Sequence, residues 1–245
     1  MAFPQVASIT ETSFGTNATA HLVAMPVTVD ANDLLLVLFA NDGDATVTTP
    51  VGWTVLSSTA SGTEARFSTY AKDADGTEDG TTVDFVTSAT EKAAAQCYRI
   101  TGWQDSGTIT NDVEVGTAAT GTDTDPDSPS LNPANWDVED TLWIACYGSD
   151  GIQVVTTYPT NYTNGVDTFS GGGGAQGTEA VVASARRENA VASEDPPIFD
   201  ITAGTARWAA QTIAIRPAGA APSGHPAGKR FGGVQYAYNL GRGVW

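Results

Sequence analysis

Apolar runs of five to ten residues recur along the chain, set apart by clusters of Gly, Asp, Thr and Pro. That spacing belongs to strands and turns: a strand crosses a sheet in about five or six residues, and the turn residues supply the backbone angles that reverse it. Strands are predicted near 5–9, 20–25, 34–40, 53–57, 64–72, 82–87 and 92–101, and again near 141–148, 152–156, 179–187, 198–202 and 207–216. Outside these runs no ten-residue stretch repeats its apolar positions every 3.6 residues, so little helix is expected. Residues 116–135, rich in Gly, Thr, Asp and Pro, read as a long surface loop, and 170–174 as a strand-connecting tip.

The pattern occurs twice. Residues 62–100 laid over 177–215 without a gap give 10 identities in 39 positions, with Gly62-Thr-Glu-Ala65 on Gly177-Thr-Glu-Ala180, Ala94-Ala-Gln96 on Ala209-Ala-Gln211 and Ile100 on Ile215. Charge is kept at Lys72 on Arg187 and Lys92 on Arg207. Upstream, with small shifts, Leu35 falls on Leu142, Gly43 on Gly151, and Pro50-Val-Gly-Trp53 on Pro159-Thr-Asn-Tyr162. The expectation is a jelly-roll-like β-sandwich over 1–216, built from two repeats of about 1–107 and 108–216. No linker separates the halves, which favours one integrated sandwich over two tandem ones.

Composition changes at Pro217. Residues 217–228 are Pro, Ala, Gly, Ser and one His, a linker able to span roughly 35 Å if extended. In 229–245 Val234, Tyr236, Tyr238 and Leu240 alternate with Gln235, Ala237 and Asn239, a strand period with one apolar face, bracketed by Phe231 and Trp245. Lys229, Arg230 and Arg242 stand there without an acid, so the tail carries +3 while the body, with 8 basic and 28 acidic residues, carries −20. An exposed apolar stripe needs a cover. Edge-strand addition to a neighbouring sheet suits the two-residue period, and the expected partner-binding set is Lys229, Arg230, Phe231, Val234, Tyr236, Tyr238, Leu240, Arg242 and Trp245.

A net charge of −17 repels phosphate backbones, so nucleic acid is not an expected partner. The longest apolar run, 34–40, is far short of the roughly 20 residues a membrane helix needs, and no membrane association is expected. No basic residue precedes an apolar stretch at the start, the first being Arg66, so no secretory leader is expected. Cys97 and Cys146 lack metal or redox spacing and are expected to be unbonded to each other.

No catalytic motif appears, neither His21 nor His225 stands in one, and no enzyme activity, cofactor or metal is expected. Asp123-Thr-Asp125-Pro-Asp127 starts like a calcium loop, but Ser128 stands where Gly is required and Ala134 where a bidentate Glu is. Trp53 and Tyr162, each after a Pro turn, read as packing residues. Trp103 and Trp136, in less regular segments, are the aromatics expected to be exposed and open to sugar stacking.

Asp33-Leu-Leu-Leu-Val-Leu-Phe-Ala40, Pro50-Val-Gly-Trp53-Thr54 and Tyr98-Arg-Ile-Thr-Gly102, with a second series ending in Ile213-Ala-Ile215-Arg-Pro217, resemble the duplicated jelly-roll-like modules of tailed-bacteriophage virion structural proteins. His225-Pro-Ala-Gly-Lys229-Arg-Phe-Gly-Gly-Val234 is similar to C-terminal segments of such proteins. The resemblance implies a capsid decoration or other head or tail surface protein, assembled in the host cytoplasm, located in the virion and anchored to other virion proteins through its arm. Homo-oligomerisation is compatible with it. The competing reading is a carbohydrate-binding, lectin-like module of a tail fibre or bacterial surface protein.

Overall fold

The computed structural model describes residues 1–171, 178–202, 204 and 206–219. The first half forms β1 (Gln5–Ala18), β2 (Leu22–Ala24), β3 (Leu34–Asp42), β4 (Val47–Thr48), β5 (Thr54–Ser61), β6 (Ala65–Asp73), β7 (Thr82–Asp84), β8 (Val86–Thr87) and β9 (Glu91–Thr101). After the single turn of α1 (Ile109–Asp112) come β10 (Val113–Val115), β11 (Ala119–Gly121), β12 (Glu139–Asp150), β13 (Val155–Thr157), β14 (Thr163–Phe169), β15 (Ala180–Val191), β16 (Asp200–Ile201) and β17 (Trp208–Ile215). The fold is all-β.

Each half makes one antiparallel sheet. The first has the order β1-β9-β3-β6-β5 and the second β10-β17-β12-β15-β14, with β11 also on β17. The two orders are the same order, and the registers agree. Leu34 pairs with Ile100 and Asp73, and Leu142 with Ile215 and Glu188. Gly43 N–H donates to Glu64 O, and Gly151 N–H to Glu179 O, both glycines having the positive φ that a side chain disfavours.

These pairings correct the expected alignment of β3 by one residue. Leu34, not Leu35, occupies the position of Leu142. A one-residue slip exchanges the faces of a strand, and the burial pattern agrees. Leu34, Leu36, Leu38 and Ala40 face the second sheet, as Leu142, Ile144 and Cys146 face the first, whereas Leu35, Val37 and Phe39 face outward. All of these are buried, because both faces of each sheet are covered.

The central core between the sheets joins Phe67, Tyr98 and Ile100 from one half to Val182, Ile213 and Ile215 from the other. The halves thus share one core. On the outer face of the first sheet, Phe39, Trp53, Tyr70 and Phe85 pack under the loops bearing β2, β4, β7 and β8. On the outer face of the second, Tyr147, Tyr162 and Phe199 do so beneath β13 and β16. The Phe39–Phe85 ring pair, 5.7 Å between centroids, has its counterpart in Tyr147–Phe199 at 5.1 Å.

The matched Ala-Ala-Gln tripeptides explain themselves here. Gln96 Nε2 reaches out of the first sheet to Val166 O at 3.2 Å, Thr168 Oγ1 at 3.1 Å and Val182 O at 3.1 Å, and Ser184 Oγ donates to its Oε1. Gln211 Nε2 reaches the other way, to Ser57 Oγ on β5. Each glutamine therefore ties its own sheet to the edge strand of the opposite one.

β4, α1, β10, β11 and β14 were not foreseen, and β1 was foreseen only in part. β14 reads Thr-Asn-Gly-Val-Asp-Thr-Phe and lacks an apolar run, being an edge strand with one solvated face. β1 continues to Ala18 rather than stopping at residue 9, for the same reason. The expected loop 116–135 contains β11, whose main chain pairs with Ala210–Trp208 although its side chains carry no strand signal.

A Cβ at Gly148 would stand 2.5 Å from Phe67 Cδ2 and 2.9 Å from Ala40 Cβ, so Gly148→Ala is expected to push the sheets apart and cost about 1–3 kcal/mol in urea denaturation. Gln96→Ala strands buried partners on two strands of the second sheet and is expected to cost about 2–3 kcal/mol by the same measurement.

Candidate functional site

The two sheets close differently along their two sides. On one side β1 and β14, both edge strands, run past each other and leave a groove. Its polar end, about 460 Å³, is walled by Asn161, Thr163 and Asn164 from the second half and Gln5 from the first, with Arg186 between them. Adjoining it is a shelf of about 350 Å³ formed by Val6, Ile9 and Val166, which Arg186 and Asn164 also border. Gln5 Nε2 donates to Glu188 Oε1 at 3.0 Å and bridges the two sheets at the polar end.

Arg186 lies on the inward face of β15, in line with Ala180, Val182 and Ser184, where that face reaches the rim. Its Nη1 is buried and has no hydrogen-bond partner. Six of the other seven cations of the body have a carboxylate, Lys72 with Glu78, Lys92 with Glu179, Arg99 with Asp33, Arg187 with Glu194, Arg207 with Glu64 and Arg216 with Glu139, and the seventh, Arg66, donates to Asp44 O and Ser58 Oγ. Among the described residues no carboxylate forms an ion pair with Arg186.

Asn161 owes its place to a turn. Tyr162 N–H donates to Pro159 O at 3.0 Å, as Trp53 N–H does to Pro50 O at 3.1 Å, and the third turn residue has positive φ in both, +70° for Asn161 and +83° for Gly52. Asn tolerates that conformation better than most side chains and here brings a carboxamide to the groove wall. Trp53 and Tyr162 are both buried, in keeping with packing roles.

The expected partner-binding residues, Lys229, Arg230, Phe231, Val234, Tyr236, Tyr238, Leu240, Arg242 and Trp245, all lie outside the described residues, as does His225. The body ends beside the start of β1. Ala218 N–H donates to Gly102 O at 2.8 Å, and a Cβ on Gly102 would touch Phe3 and Pro4.

The expected exposure of Trp103 and Trp136 is corrected. Each is only 4% exposed. Trp103 donates its indole N–H to Asn32 O at 2.9 Å, and Trp136 donates to Thr141 Oγ1 while Arg216 lies over its ring. Irregular backbone around a Trp does not place the ring in solvent when an acceptor within the fold is available for its N–H. Neither offers a sugar platform.

Cys97 and Cys146 are free and buried in different clusters, one outside the first sheet and one between the sheets, and burial pushes both thiols up. Among the described residues no cluster of His, Cys, Asp and Glu is arranged to hold a metal ion, and no helix is long and apolar enough to cross a membrane. Arg186 and Asn164 were not singled out from the sequence, and Asn161-Tyr-Thr163 reads there only as an Asn-x-Thr sequon of the kind a Thr-rich chain produces by chance. The available signal was divergence within the repeat, since the register that matches Lys72 to Arg187 sets Arg186 against Ala71.

Two titrating groups oppose each other. His21 is buried between Phe14 and Phe39, with Nε2 3.1 Å from Thr87 Oγ1. Burial holds its pKa below the ordinary 6.5, against the pull of Asp84, so its contribution to stability is full above pH 6.5 and is lost as the pH falls below it. Glu91 is pushed up to about 7 by burial and by Asp42 and Asp44, so its contribution is full below about pH 4.5 and is lost as the pH rises through 7. Melting temperatures recorded from pH 4 to 8 are expected to fall less steeply below pH 6.5 in His21→Gln than in the parent. Glu91→Gln is expected to melt higher than the parent at pH 8 and no higher at pH 4.

Comparison of the chain with protein-family models, with curated proteins and with solved structures found no match.

Proposed function

We propose that the protein is a structural component of a tailed-bacteriophage virion, a capsid decoration or another head or tail surface protein, held to its partner by the segment 229–245. The observation that carries this reading is the division of charge and pattern at Pro217: a body of −20 is followed by a tail of +3 with the period of a strand. Opposite charges on body and tail favour docking of the tail on an acidic neighbour, and the alternating Val234, Tyr236, Tyr238 and Leu240 suit strand addition. The geometry of the body is compatible with this role. Two sheets covered on both faces make a block, and the described chain leaves it at Ala218, whose N–H donates to Gly102 O.

The test is truncation after Gly219, which keeps the Ala218–Gly102 hydrogen bond. Intact protein is expected in particles purified from the lysed host culture, at a fixed copy number by quantitative mass spectrometry. Truncated protein is expected to keep the melting temperature of the parent and to be missing from those particles. Loading of the truncated protein at the normal copy number would move the anchor onto the sandwich. Absence of the intact protein from particles would overturn the reading.

A further inference from the structure

The two sheets share one order and one register, so each half serves as a control for the other, and the two sides of the sandwich differ where the Arg186 groove lies. On the opposite side Ala71 holds the position of Arg186 and is wholly buried in the central core. Ile109 of α1 packs against that core, and α1 lies against β6, closing this side. Gly52 holds the position of Asn161. One seam is thus filled with small and apolar groups, and the other is open and lined by a guanidinium and carboxamides.

A buried guanidinium N–H without an acceptor is costly unless something supplies one. In a body with 28 carboxylates, an arginine that meets none of them and keeps a buried N–H without any acceptor is held for an acceptor from outside. We propose that the groove between β1 and β14 binds an acidic saccharide, of the uronic- or sialic-acid type, whose carboxylate is taken by Arg186. A planar guanidinium matches a carboxylate in a two-bond fork. Asn161, Thr163, Asn164 and Gln5 offer both donors and acceptors to hydroxyls, and the Val6–Ile9–Val166 shelf offers an apolar surface to the C–H face of a sugar ring.

The charge of the site limits the ligand. Glu188 stands at the polar end beside Arg187, which Glu194 neutralises, Glu11 and Asp167 line the groove farther along, and the body carries −20, so Arg186 can take a single carboxylate and a phosphate polymer is repelled. A peptide C-terminus carries the same carboxylate. The hydroxyl and carboxamide lining favours the saccharide, and the experiment separates the two. This site is independent of the virion assignment and of the segment beyond Gly219, so either proposal can fail alone.

The test is titration calorimetry of the full-length protein with sialyllactose, an oligogalacturonate, neutral lactose and an acetylated tripeptide with a free C-terminus. Saturable binding of one acidic saccharide is expected, with none of lactose and none of the tripeptide. Arg186→Gln is expected to weaken it about tenfold or more, and Arg186→Lys to recover only part, because an ammonium cannot form the fork. Asn161→Gly keeps the backbone conformation that Gly52 shows is sufficient for the turn and is expected to weaken binding severalfold at an unchanged melting temperature. If Arg186→Gln fails to fold, Asn161→Gly decides. Binding of neither acidic saccharide, equal binding by the Arg186 and Asn161 variants and the parent, or preference for the tripeptide would overturn the proposal.

Discussion

The sheets approach each other so closely where Gly148 of one half meets Ala40 and Phe67 of the other that there is no room for even one more methyl group. Ala40 and Gly148 hold the same position in their respective sheets, so this close approach brings equivalent residues together. From that contact the rest of the packing follows. Small residues let the inner faces close, the long side chains of Leu34, Ile100, Leu142 and Ile215 fill the flanks, and Gln96 and Gln211 cross to the edge strands at either side. Burying a glutamine is tolerable only if its amide is bonded, and Gln96 is bonded through both ends. The crossing carries specificity as well as stability, because a slipped sheet would leave Val166 and Val182 carbonyls without their donor.

Much of this was legible in the sequence because the pattern that matters is local. Apolar runs and turn residues marked the buried strands, and Ala94-Ala-Gln96 against Ala209-Ala-Gln211 marked the duplication. What failed did so for physical reasons. In β3 every residue from Leu34 to Ala40 is apolar because both faces are covered, so alternation gave no register, and Leu35 was matched to Leu142 where the hydrogen bonds put Leu34. Edge strands such as β14, half in water, lack the apolar run that identifies the others. Trp103 and Trp136 looked exposed because their neighbours are irregular, but each ring is buried and its indole N–H has an acceptor within the fold.

The candidate site was the least legible part. Arg186 sits beside Arg187 in sequence, and only the strand's alternation separates one that pairs with Glu194 at 2.7 Å from one whose Nη1 faces the groove rim without a partner. Asn161 looked like one more turn residue. The divergence of these two positions from Ala71 and Gly52 becomes meaningful once the register shows that the positions are equivalent.

The central claim is that the two halves share the core between the sheets, since the inner face of each sheet is covered by the other. Sedimentation and urea denaturation of the isolated segment 1–107 test it directly. The shared core requires that this segment be unfolded or self-associated through its exposed inner face, and that it recover the parent's cooperative transition when mixed with 108–245. A folded, cooperative monomer of 1–107 would contradict the shared core and make the halves two domains.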